Sequence, residues 1–153
     1  MGNDTPSRLT RPGSNCLPTY VLRPVGTVRS CLKSRDDCPR QGFEGAPDAW
    51  LEFDLAIADA LDGLTVGQEI LLFTWLHQAN RDIIKVHPRG DSNRALCGVF
   101  STRAPDRPNP IGLHRVEIME LQTPRLVRVG PLEALDGTPI IDIKSVIREP
   151  DER

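Results

Sequence analysis

The segment from Gly98 to Leu113 carries the residues best suited to bind a charged ligand. It reads GVFSTRAPDRPNPIGL and joins two predicted strands through a loop with three prolines. Proline fixes the backbone before a ligand arrives, which lowers the entropic cost of binding. Arg103, Arg107 and Asn109 are therefore candidate ligand contacts. The alternative is a rigid hairpin whose arginines face water.

A second candidate segment runs from Leu135 to Lys144 and reads LDGTPIIDIK. The Asp-Gly pair predicts a tight turn, and the Thr-Pro pair begins an alternating strand. Turn amides and a carboxylate in this position could hold ribose hydroxyls or an amino-acid head group. An ordinary hairpin turn is the alternative.

Two shorter groups complete the candidates. Pro39-Arg40-Gln41 lies in a long polar loop, and His77-Gln78 ends an apolar segment. The three histidines show no metal-ligand spacing, and none of the four cysteines forms a C-x-x-C pair, so no metal site is expected. The chain also lacks a glycine-rich phosphate loop and the signatures of Ser/His/Asp or Cys/His catalysis.

Composition bounds the kind of protein that must position these residues. The chain has 153 residues, of which 39% are hydrophobic and 26% charged, with a formal net charge of −2. This suits one domain with a real core, and excludes a membrane protein or a disordered chain. Fourteen prolines and twelve glycines disfavour a helical bundle. With no apparent signal peptide, free thiols in a reducing cytoplasm are expected.

The pattern of short apolar segments between turns predicts a mainly β, compact, single-domain fold that is barrel-like, with short helices. Residues 1–19 are expected to form a flexible arm, and 20–153 the domain. A polar loop is predicted over 34–47 and a short helix over 56–61. The strands are predicted at 20–22 with 25–28, 50–55, 69–77, 82–86, 95–101, 113–121, 126–129 and 140–147.

Charge is unevenly distributed along the chain. Residues 44–63 contain six acids and no base, whereas 81–115 contain seven bases and three acids. Two solvated faces of opposite sign would explain this, and so would a basic mouth for an anionic substrate such as RNA.

These segments, taken in order, resemble the TrmO family, which is also called TsaA-like or YaeB-like. The resemblance extends from about Leu22 to Ile147 and is strongest in the proline–asparagine loop. It implies a β-barrel-like fold, a homodimer, and S-adenosylmethionine as cofactor. It further implies methyl transfer to N6 of threonylcarbamoyl-adenosine at position 37, in the anticodon loop of tRNA.

The resemblance also implies site residues. Family cofactor contacts fall on Pro39, Arg40, Gln41, His77, Gln78, Arg103, Leu113, Asp136, Gly137, Thr138 and Pro139. Arg107 and Asn109 are the expected substrate contacts. The catalytic residue is unknown; His77 and Asp142 are the candidates for a base that takes the proton.

The chain departs from the family pattern at four positions, and other functions compete. Asp106 precedes Arg-Pro-Asn-Pro where an aromatic or apolar residue is usual, and His114 replaces a small residue. Ser145 and Val146 replace a Pro-aromatic pair. The alternatives are a methyltransferase of the same fold acting on a small molecule or another RNA, a non-catalytic S-adenosylmethionine-binding module, and a plain structural β-domain.

Overall fold

A computed structural model describes residues 17–147, and its dominant feature is a closed, barrel-like ring of six strands. The ring order is β1-β2-β7-β6-β3-β8, and a separate two-stranded sheet pairs β4 with β5. The strands are β1 (Gly26–Arg29), β2 (Ala49–Phe53), β3 (Glu69–Trp75), β4 (Lys85–Val86), β5 (Cys97–Gly98), β6 (Ile111–Gln122), β7 (Leu126–Gly130) and β8 (Pro139–Ser145).

Alternating side chains decide which face of each strand points into the ring. In β2, Ala49, Leu51 and Phe53 are buried while the residues between them are half-buried. The same alternation places Ile70 and Leu72 of β3 in the core. Ring closure lets all six strands bury one face against a single core, which suits a chain poor in aromatic residues. The mainly β, barrel-like prediction is confirmed.

Several predicted elements differ in extent from those observed. Residues 20–22 form no strand and are exposed. The strand expected at 82–86 shrinks to the two-residue strand β4, because residues 81–82 form a turn. The strand expected at 95–101 shrinks to β5, because the 3-10 turn Val99–Ser101 takes the place of its last three residues. The expected helix is a 3-10 helix, Leu55–Leu61, in which the Asp54 side chain accepts a hydrogen bond from Ala56 N. Two further 3-10 turns, Arg35–Asp37 and Gly42–Glu44, lie in the predicted long loop.

Within the described residues, the chain divides into two compact units. The barrel unit contains residues 22–75 and 112–147, and the loop unit contains 17–21 and 76–111. The boundary between an arm (1–19) and one domain (20–153) stays a prediction, since residues 1–16 and 148–153 lie outside the described part. No helix formed by residues 17–147 has the length and apolar character needed to cross a membrane.

Candidate functional site

The Asp136 turn joins β7 to β8 in the barrel unit and is fixed by many hydrogen bonds. The Asp136 carboxylate accepts one bond from Ser30 N at 3.0 Å and another from Lys33 Nζ at 2.8 Å. The Lys33 bond, helped by the Ser30 bond, lowers the pKa of Asp136. Gly137 has a φ of 80°, a backbone conformation that favours glycine. Asp136 is therefore an ionised group held in one place.

The amides of this turn are already used by the protein, which corrects one expectation. Asp136 N donates to Leu32 O, Gly137 N to Val28 O and Thr138 N to Leu135 O, at 2.8 to 3.1 Å. Thr138 is also 2% exposed. The turn amides therefore cannot serve a ligand without breaking protein hydrogen bonds, and contacts from this turn would come from side chains or carbonyl oxygens.

A surface cleft of about 480 Å³ opens beside Asp136. Its lining combines Arg29, Lys33 and Arg128 with the half-buried Trp50. The cations are paired: Arg29 with Glu52 at 2.8 Å, Lys33 with Asp136 at 2.8 Å, and Arg128 with Asp48 at 3.1 Å and Glu120 at 3.2 Å. The cleft is therefore close to charge-balanced and suits a polar or zwitterionic group better than a bare anion.

The Pro39-Arg40-Gln41 segment is attached to the chain just before the Asp136 turn. The Cys38 thiol donates to Glu133 O at 3.1 Å, and burial raises its pKa. A Cβ added to Gly42 would lie 3.0 Å from both Glu133 Oε2 and Pro131 O, so glycine permits the close approach. Arg40 is exposed, while Pro39 and Gln41 are half-buried. The loop thus presents a cation to solvent from an anchored backbone.

Thr74, His114 and Glu133 form a buried hydrogen-bonded chain that sequence reasoning missed. His114 is 5% exposed; its Nε2 lies 2.9 Å from Thr74 Oγ1 and its Nδ1 lies 2.8 Å from Glu133 Oε1. Its neighbour Leu113 points to the other face of β6 and is 38% exposed. The sequence showed only that His114 is unusual for the family, because nothing in a strand pattern reveals a partner forty residues away.

The predicted site residues of the loop unit lie on two segments, the turn after β3 and the loop within residues 98–111, which are joined by hydrogen bonds. The turn carrying His77 and Gln78 follows β3, and both side chains are exposed. Leu76 N donates to Pro110 O at 2.8 Å, and Asn80 N donates to Asp106 Oδ1 at 2.8 Å. Asp106 thus links the His77 turn to the loop with three prolines within residues 98–113, called the proline loop below.

Arg81 makes a second tie within this unit and was not singled out from the sequence. Its Nε donates to Pro108 O at 2.8 Å, and its Nη2 donates to Asn109 Oδ1 at 3.3 Å. Arg103 and Asn109 are both exposed.

Arg107 has a structural task within the proline loop. Its Nε donates to Ala104 O at 2.8 Å, and its Nη2 donates to Val99 O at 3.1 Å and Thr102 O at 2.7 Å. Three of its five N–H groups therefore close the loop on itself. A contact from Arg107 to substrate stays a prediction, and any such contact uses the remaining donors.

Asp142 lies on the exposed side of β8. It accepts a hydrogen bond from Ile143 N and pairs with Lys144 at 3.2 Å. Within residues 17–147, no three His, Cys, Asp or Glu side chains are arranged to hold a metal ion.

The family model of the tRNA-methyltransferase O N-terminal domain matches residues 27–152. The chain belongs to this TrmO family. The match includes the anchored loop, the proline loop and the Asp136 turn described above. The resemblance inferred from the motifs is confirmed.

Two relatives and one solved structure show how close these similarities are. An S-adenosyl-L-methionine-binding protein of Archaeoglobus fulgidus is 44% identical over 132 residues, covering 86% of this chain and 92% of the relative. A probable S-adenosyl-L-methionine-binding protein of Methanothermobacter thermautotrophicus is 47% identical over 123 residues, covering 80% of this chain and 87% of the relative. The crystal structure of TrmO from Pseudomonas aeruginosa has a TM-score of 0.71 and 31% identity. It aligns with 91% of this chain, which spans 60% of that TrmO chain.

Proposed function

We propose that this protein is an S-adenosylmethionine-dependent methyltransferase that methylates N6 of threonylcarbamoyl-adenosine at position 37 of tRNA. The observation that carries the proposal is the TrmO family match across residues 27–152. S-adenosylmethionine is the cofactor, as the names of the two archaeal relatives support. The tRNA substrate is proposed because the family is one of tRNA methyltransferases. The target nitrogen is the one that the TrmO resemblance implies.

The predicted contacts of the two units carry groups that suit the parts of S-adenosylmethionine. The cofactor has a carboxylate, a ribose, an adenine and a sulfonium cation. Exposed Arg40 and Arg103 offer charge-assisted hydrogen bonds to a carboxylate, and the ionised Asp136 offers an acceptor. Leu113 offers an apolar surface on the outer face of β6 for the adenine.

The remaining proposed contacts are Pro39, Gln41, His77, Gln78, Gly137, Thr138 and Pro139. Of these, the Thr138 side chain is buried, so its contribution is to hold the turn. S-adenosylmethionine supplies an electrophilic methyl carbon. Ordered groups such as the Asp136 carboxylate, an acceptor held in place by Lys33, would orient it toward the incoming nitrogen. Positioning of this kind accounts for much of the rate of displacement reactions.

The target nitrogen must also lose its proton when it gains the methyl group. His77 is exposed at the end of β3, whereas Asp142 is exposed and paired with Lys144. His77 is the better candidate for the base, because the Asp142 carboxylate is already paired with Lys144. Transfer of the proton directly to water is the competing route.

A homodimer is the proposed assembly. Apolar side chains at Ile111 and Met119 on the outer positions of β6 are 43% and 41% exposed, and a second copy would cover them. Sedimentation velocity at several protein concentrations tests this, and a single monomeric species would contradict it.

The decisive experiment is methyl incorporation from labelled S-adenosylmethionine into two tRNA pools, one with and one without the threonylcarbamoyl group. Label in the modified pool alone supports both cofactor and substrate. Label in neither pool, with cofactor binding confirmed calorimetrically, favours the small-molecule methyltransferase or the non-catalytic binding module. Label in both pools, or in another RNA, would move the target away from the modified base.

A matched pair of variants tests the cofactor assignment. Arg103→Ala should weaken S-adenosylmethionine binding by about 1.5–3 kcal/mol if its guanidinium holds the carboxylate. Arg94→Ala is the control, because Arg94 is an exposed arginine of the same unit that pairs with Asp91. Equal affinity in the parent and Arg103→Ala would remove Arg103 from the site.

A further inference from the structure

Phe100 is the most exposed aromatic side chain of the described residues, and several hydrogen bonds fix the backbone of its turn. The residue is 84% exposed, although its neighbour Val99 is 3% exposed. It lies in the middle of the 3-10 turn Val99–Ser101, which follows β5. Single exposed apolar side chains are common on protein surfaces, so the exposure of Phe100 gains meaning only together with its fixed backbone and the charge of its segment.

Hydrogen bonds hold this turn from both sides. Val99 N donates to Ile84 O at 3.1 Å, and Thr102 N donates to Val99 O at 3.0 Å. The Thr102 hydroxyl donates to Val99 O at 2.9 Å, and the Arg107 guanidinium donates to Val99 O and Thr102 O. Phe100 is therefore carried on a backbone that is already ordered, so little entropy is lost there when its ring meets a partner.

The charge of the segment that carries this turn indicates the chemistry of a partner. Residues 76–111 contain six bases (Arg81, Lys85, Arg89, Arg94, Arg103 and Arg107) and three acids (Asp82, Asp91 and Asp106). The pair of Asp91 with Arg94 leaves this excess of bases unchanged, and Asp106 accepts a hydrogen bond from Asn80 N. An exposed aromatic ring on a net-positive segment is the arrangement by which proteins stack an unpaired base and neutralise its phosphates.

A second copy of the chain fits this surface less well. A symmetric interface would place the same net-positive segment against itself, and like charges in contact oppose association. We propose that Phe100 is a stacking platform for an unpaired base of a single-stranded RNA loop. The proposal rests on the proposed function, because it describes how the tRNA loop is held while its base is methylated.

The test uses the full-length protein and a synthetic anticodon stem-loop in which one loop purine is the fluorescent analogue 2-aminopurine. Titration gives the affinity, and the fluorescence change reports stacking. Phe100→Leu keeps apolar bulk without an aromatic face, and Phe100→Trp keeps the face. Phe100→Leu should bind the RNA roughly 5- to 150-fold more weakly, whereas Phe100→Trp should bind at least as tightly as the parent. Val66→Ala, which trims another exposed apolar side chain (61%) in the barrel unit, is the control.

The outcomes separate this proposal from the proposed function. If Phe100→Leu binds the stem-loop as tightly as the parent, and the parent still methylates tRNA, the stacking proposal fails alone. If the parent neither binds the stem-loop nor methylates tRNA that carries the threonylcarbamoyl group, both fail. If Phe100→Leu changes the sedimentation of the RNA-free protein, the ring belongs to a contact between copies and the proposal is overturned. The exposure of Phe100 means that thermal unfolding of these variants should match the parent, which excludes misfolding as the cause.

Discussion

Removing the His114 imidazole should destabilise the barrel unit by about 3 kcal/mol. In the parent, the His114 ring lies 2.8 Å from the Glu133 carboxylate and 2.9 Å from the Thr74 hydroxyl, and His114→Ala removes both hydrogen bonds. A buried polar group without a partner costs about 1–3 kcal/mol. Thr74 is fully buried and the Glu133 side chain is 13% exposed, so water relieves only part of the loss at Glu133.

Urea unfolding followed by circular dichroism measures this loss, with the midpoint and slope fitted together. A loss of this size is a large part of the stability of an ordinary domain, about 5–15 kcal/mol. It should also lower the melting temperature by roughly 6–12 °C, given about 2–4 °C per kcal/mol for chains of this length. Thr74→Val and the double variant complete a cycle, in which we expect a coupling of about 0.5–3 kcal/mol.

The control is His87→Ala, the same change at a histidine in the loop unit. His87 Nδ1 makes one hydrogen bond, to Arg94 O at 2.7 Å, in an exposed setting. It should cost less than about 1 kcal/mol. If His114→Ala costs no more than His87→Ala, or if the cycle shows no coupling, the buried chain does not stabilise the fold and the reasoning is refuted.

Three further predictions concern the turn and the proline loop. The bond from Lys33 lowers the pKa of Asp136, so it stabilises the fold fully above the ordinary carboxyl pKa. This stability is lost as the pH falls through the lower pKa of the folded state. Acid unfolding of Asp136→Asn should therefore show a shallower loss of stability with falling pH than the parent. Gly137→Ala should cost about 1–2 kcal/mol in urea unfolding because of its positive φ, whereas Gly98→Ala, with open space around it, is a control that should cost less. Arg107→Ala should make the loop more susceptible to limited proteolysis, and an unchanged salt dependence of RNA binding would show that Arg107 makes no phosphate contact.

Local pattern was enough to predict the long strands of the barrel. The alternation in β2 and the apolar segment of β3 both report burial on a face that the ring closes over. It failed at 82–86 and 95–101, where apolar residues are present but the chain turns at 81–82 and at Val99–Ser101. There Ile83 and Val99 are buried from a turn or an irregular segment, so their apolar character indicated burial and not a strand.

Side-chain roles were harder to predict than strands. Arg107 looked like a substrate contact because the sequence shows a cation in a rigid loop, but not which carbonyl oxygens face it. Three such oxygens lie within hydrogen-bond distance of its guanidinium. At Asp106 the sequence showed only an acid where the family usually has an aromatic or apolar residue, whereas its carboxylate accepts a hydrogen bond from Asn80 N. Both roles depend on contacts made only after the loop folds.

His114 is unusual for the family, and its contacts connect the barrel core with the loop that carries Arg40. Its imidazole fills a buried position between β3 and the segment that precedes the Asp136 turn, through Thr74 on one side and Glu133 on the other. The Glu133 backbone also accepts from Cys38, and its carboxylate limits the room at Gly42. The chain of contacts therefore runs from the barrel core to the loop that carries Arg40. His114 therefore supports the geometry of that loop from a buried position in the barrel unit.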